Sequence, residues 1–122
     1  MHPWLSRLRH DLVKRAVWAA RDVREAGSAP SAADVLELRR GLFDLRDAEG
    51  QPVIARQLWD RLCAEAPHVP AAALGAFGGA LAEAEQRVTG LAERPETWRE
   101  ALEAILGIET AFAALARTLE EE

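Results

Sequence analysis

The sequence predicts an all-α fold: one helical bundle of about five helices, three long and two short, spanning residues 1–122 with consecutive helices antiparallel. Three observations carry this. Ala, Leu, Arg and Glu, all good helix formers, dominate the chain. Apolar residues recur at spacings of three and four rather than two, so no strand is expected. Gly and Pro fall in short clusters that cut the chain into five segments, and the connections are too short to divide two domains.

The first helix is expected from about Pro3 to Ala26, with Pro3 at the first helical position and Gly27 as its stop. Leu5, Leu8, Leu12, Ala16, Ala19 and Val23 form its apolar stripe. Asp11 and Arg15 stand four apart, in position for an ion pair. The second helix begins at Ser31, which stands three residues before Asp34 as in a capping box, and carries Val35, Leu38, Leu42 and Leu45 inward. The turn Asp47-Ala48-Glu49-Gly50 ends it. Pro52 opens the third helix, through about Ala66, with Ile54, Leu58, Trp59 and Leu62 inward; Arg56–Asp60 and Arg61–Glu65 are spaced as solvated pairs.

Pro67-His68-Val69-Pro70 breaks the chain before the fourth helix, about Ala71 to Ala92. Its stripe, Leu74, Phe77, Leu81, Ala84, Val88 and Leu91, alternates threes and fours as coiled coils do. The last helix, about Glu96 to Glu120, repeats that pattern with Ala101, Ile105, Ile108, Phe112, Leu115 and Leu119. Its acidic end, Glu120-Glu121-Glu122, opposes the helix dipole and is expected to fray. The expected core includes Leu8, Leu12, Leu42, Leu58, Phe77, Leu81, Ile105 and Phe112.

Composition narrows the function classes. A chain of 122 residues, 49% hydrophobic and 29% charged, supports one ordinary core without a metal or disulfide. Cys63 is the single cysteine and has no partner for an internal disulfide. Charges from Arg7 onward and the lack of an apolar run argue against a signal peptide or membrane span, so a cytoplasmic chain is expected. The net charge of −5 is uneven: residues 1–66 carry 11 basic and 10 acidic side chains, residues 67–122 carry 4 and 10. With no basic stripe, nucleic acid is not an expected partner.

No motif for metal, cofactor or nucleophilic catalysis stands out. His2, His10, His68 and Cys63 lack metal-ligand spacing, Ser6, Ser28 and Ser31 lack a nucleophile setting, and no glycine-rich loop precedes a helix in phosphate-binding spacing. No cofactor is expected. One alternative rests on His10. The run Arg9-His10-Asp11-Leu12 resembles the phosphoacceptor box of histidine kinases. That resemblance implies His10 as phosphoacceptor, Asp11 assisting proton removal and Lys14, one turn on, neutralising the phosphoryl group. Histidine phosphotransfer domains place their lysine three residues on; here it is four. A further alternative is an apolar ligand held inside the bundle by some of Trp4, Trp59, Trp98, Phe77 and Phe112.

Two surfaces lead to the principal expectation, a non-enzymatic interaction or accessory module that pairs with itself as a homodimer or with another protein. Val17 and Trp18 lie off the leucine stripe of the first helix, with Lys14 and Arg21 beside Trp18. They form either an interface or the further side of a central, buried helix. Gly75, Gly79 and Ala82 form a small-residue back on the fourth helix, suited either to close approach of another helix or to an interruption at Gly78-Gly79. A symmetric two-fold contact that uses both surfaces would also match a basic first helix to an acidic C-terminal half.

Overall fold

The computed structural model describes residues 3–47 and 49–120; His2, Ala48, Glu121 and Glu122, named above, lie outside the described residues. The chain forms an all-α bundle. In order, the elements are α1 (Pro3–Leu8), a π turn (Arg9–Val13), α2 (Lys14–Ala26), α3 (Ala32–Phe43), β1 (Leu45–Arg46), β2 (Pro52–Val53), α4 (Ala55–Ala64), α5 (Ala71–Gly90), a 3₁₀ turn (Pro95–Thr97) and α6 (Trp98–Glu120). No helix among the described residues is long and apolar enough to cross a membrane.

The expected first helix is one continuous rod made of α1, the π turn and α2. Leu8, Leu12, Ala16 and Ala20 follow one another four residues apart, and on an α-helix each such step drifts by about 40°. The π turn, in which the Lys14 N–H donates to the Arg9 carbonyl, widens the helix and absorbs that drift. All four residues are buried, and Val13 and Val17 turn inward with them. Gly27 ends the rod at φ 71°, a left-handed conformation that glycine adopts without strain.

The start of α3 follows the sequence expectation. Ser31 Oγ accepts from the Asp34 N–H at 3.2 Å, and the Asp34 carboxylate accepts from the Ser31 N–H at 3.0 Å. Its end does not. The apolar stripe predicts helix through Leu45 and a new helix from Pro52, with no strand. Instead Leu45–Arg46 and Pro52–Val53 form a short antiparallel hairpin in which Leu45 faces Val53. The competing interaction is the turn between them. Asp47 Oδ1 accepts from the N–H groups of Glu49 and Gln51, each at 2.9 Å, and Gly50 takes φ 79°. Leu45 and Val53 are both buried. Hence α4 starts three residues later than Pro52 suggests.

The solvated pairs expected along α4 are also replaced. Arg61 reaches Asp47 at 2.6 Å, Glu65 pairs with Arg7, and Arg56 approaches Glu85 at 4.0 Å. The polar side of α4 therefore ties it to the hairpin, α1 and α5. Likewise Asp11–Arg15 makes no ion pair among the described residues. Helix α5 runs unbroken through Gly75, Gly78 and Gly79. Gly78 has a packing reason to be glycine: a Cβ there would stand 3.2 Å from Trp59 Nε1.

The helices pack as a ring. Helix α2 lies along α3 on one side and α6 on the other, while α5 lies along α6, α4 and α3. Helices α2 and α5 therefore occupy opposite corners. Arg21 bonds Glu109 while Arg24 shares a groove with Leu102 and Leu106, so α2 and α6 run antiparallel. Gly41 meets Arg15 and Ala16, and Val23 lies by Asp34, so α2 and α3 are antiparallel too. In contrast α1 and α4, which are not sequential, run parallel: Trp4 Nε1 donates to the Leu62 carbonyl at 2.6 Å and Arg7 pairs with Glu65. All eight expected core residues are buried.

Candidate functional site

The aromatic residues do not line one chamber. Trp4, Trp59 and Phe77 pack against one another in the core as tilted rings, with centroids 6.0 Å apart for Trp4–Trp59 and 4.6 Å for Trp59–Phe77. Trp98 sits half-buried at the start of α6, with Arg99 5.0 Å from its ring centroid, and Phe112 lies under a different groove on the α2 side. The expected ligand-lining set is thus split among three places, because its members belong to different helix faces.

The His10 side chain is exposed in the π turn and makes no hydrogen bond or ion pair among the described residues; Asp11 beside it is half-buried. The Lys14 ammonium stands 6.0 Å from the Trp18 ring centroid. Cys63 is half-buried, and burial pushes its thiol up from the ordinary value, away from the reactive thiolate. Among the described residues no group of three His, Cys, Asp or Glu is placed to hold a metal.

The expected interface residues separate. Val17 is 2% exposed and belongs to the core, which corrects its place in an outward surface. The π turn is the reason, since it rotates Val17 toward α6. Trp18, the next residue, is 64% exposed, the largest exposure of any large apolar side chain among the described residues. A Trp normally buries most of its area, so this one is costly to leave in water. Arg21 is held within the chain by two hydrogen bonds to Glu109, at 2.5 and 2.7 Å.

Gly75, Gly79 and Ala82 are exposed, and a Cβ at Gly75 or Gly79 would meet nothing within 4 Å. They lie on the outward side of α5. Because α2 and α5 sit at opposite corners, this patch and Trp18 look in opposite directions. One symmetric two-fold contact cannot use both, a correction that only the helix order reveals.

Trp18 stands on a ridge between two grooves. On the α3 side the charged lining is Arg15, Asp22, Asp34, Glu37, Arg40 and Asp44: two cations and four carboxylates, a formal net of −2. On the α6 side it is Arg9, Lys14, Arg21 and Glu109: three cations and one carboxylate, a formal net of +2. Sequence reasoning found Trp18 and two of its cations. It missed the acidic groove, where Asp34 and Glu37 of α3 and Asp44 just after it are brought beside Asp22 and Trp18 of α2 only by the α2–α3 crossing. No family model, no curated protein and no solved structure matches this chain.

Proposed function

We propose that this chain is a non-enzymatic protein-interaction module that docks through the Trp18 face of α2. The observation that carries the reading is one large, 64% exposed indole raised between two charged grooves. Burying the exposed part of such a ring is worth on the order of 3–4 kcal/mol, enough to anchor a contact. Charged side chains around it supply the polar rim that surrounds interface anchors. Helix α2 is packed on its other sides, so Trp18 is held on a rigid element and little ordering is needed on binding.

The test keeps Trp18 and places a photo-activated crosslinking residue beside it at exposed Arg15, which lines the α3-side groove, and, as a control, at exposed Thr89 on α5. Both chains are irradiated in extract of the cell that makes the protein. The expected result is a discrete protein adduct from position 15 that position 89 does not give. Equal or absent adducts at the two positions would overturn the docking role.

A further inference from the structure

The two grooves beside Trp18 differ in sign, and that arrangement has a symmetry consequence. A two-fold axis relating two docked copies lies in the interface between them. If it crosses α2 at right angles, each groove meets its own equivalent, like charge on like. If it runs parallel to α2, the α3-side groove of one copy meets the α6-side groove of the other, and this happens twice. The formal charges then oppose as −2 against +2 on both sides. Trp18, on the ridge between the grooves, meets its symmetry mate near the axis.

We infer that the occupant of the Trp18 face is a second copy of this chain, docked about a two-fold axis parallel to α2. The inference rests on the docking role of Trp18 and adds the partner's identity and orientation. The face is self-complementary in charge in that one orientation only. Arg9, Lys14 and Arg15 make no ion pair among the described residues, and Asp22 and Asp44 make none either. These groups are free to pair across the contact. A stable pairing needs about 800 Å² from each copy, roughly a ninth of the 7181 Å² surface.

The experiment uses the whole chain and two charge variants. Arg9→Glu with Lys14→Glu turns the α6-side groove from +2 to −2, so both grooves become acidic. Asp22→Lys with Asp44→Lys turns the α3-side groove from −2 to +2, so both become basic. All four side chains are exposed, and circular dichroism checks that each variant keeps its helices. Sedimentation across concentration is expected to show a wild-type dimer that weakens as salt rises. Each charge variant alone is expected to be monomeric, and their equimolar mixture to restore the dimer. Trp18→Ala is expected to raise the dimer dissociation constant at least about 30-fold.

A wild type that is monomeric at every concentration overturns the inference. So does a dimer that each charge variant still forms alone, or a mixture that does not associate. The crosslink at position 15 separates the two claims. An adduct with a different protein and none with a second copy leaves the docking role standing and removes self-association; no adduct removes both.

Discussion

Gly41 and Gly79 make a matched pair for testing the packing, because the same change should have opposite effects at the two sites. Gly41 is buried in α3 where it crosses α2; an added Cβ would stand 2.8 Å from the Arg15 carbonyl oxygen and 3.1 Å from the Ala16 Cα. Both neighbours are backbone, so no rotamer change relieves the clash and the two helices must separate. Overpacking of this kind costs roughly 1–3 kcal/mol, while replacing a helical glycine by alanine returns up to about 1 kcal/mol. Gly41→Ala should therefore lose up to about 2 kcal/mol. At Gly79 a Cβ meets nothing within 4 Å, so Gly79→Ala should keep the full gain of about 1 kcal/mol. Urea unfolding followed by helical circular dichroism, at a concentration where the chain is monomeric, reads both as midpoint shifts at unchanged slope. A Gly41→Ala chain that gains as much stability as Gly79→Ala would mean that α2 and α3 do not approach at this residue.

Three further changes probe other parts of the fold. Phe77→Ala removes a fully buried ring packed against Trp59 and should cost about 3–5 kcal/mol; a loss below about 0.5 kcal/mol, measured by the same unfolding curve, would place Phe77 outside the core. Ser31→Ala removes the Oγ that accepts from Asp34 and should cost about 1 kcal/mol, with helix loss concentrated in α3 by amide hydrogen exchange. Glu85 is 12% exposed at its side chain, its Oε1 has no hydrogen-bond partner, and burial pushes its carboxyl pKa up despite Arg56 nearby. A carboxyl that holds its proton more tightly folded than unfolded lowers stability as pH rises from the ordinary glutamate value through its raised folded value. Glu85→Gln should remove that acid-side slope and leave the neutral-pH protein at least as stable; an unchanged pH profile would remove Glu85 as its source.

The helices themselves were legible in the linear sequence because helix formation is local. Strings of Leu and Ala at spacings of three and four, Ser31 ahead of Asp34, and Gly27 after Ala26 specify periods and ends that depend on near neighbours alone. The same stripes identified the core, since a face that is apolar over several turns has to be covered. Trp18 was visible as a residue out of phase with its stripe, although Val17 beside it was not separable from it. What only the tertiary structure decided depends on which helix lies against which. The hairpin at Leu45 and Val53 wins over helix because Asp47 organises the turn and is held by Arg61 of α4. The π turn shifts the phase of a long helix by one residue's angle, and that moves Val17 into the core while Trp18 stays out. The acidic groove beside Trp18 is assembled by α3 crossing at Gly41, and the Gly75/Gly79 patch is carried to the opposite corner by the ring order of the helices. Periodicity states which side of a helix is buried, but the direction in which the other side faces is set by long-range packing.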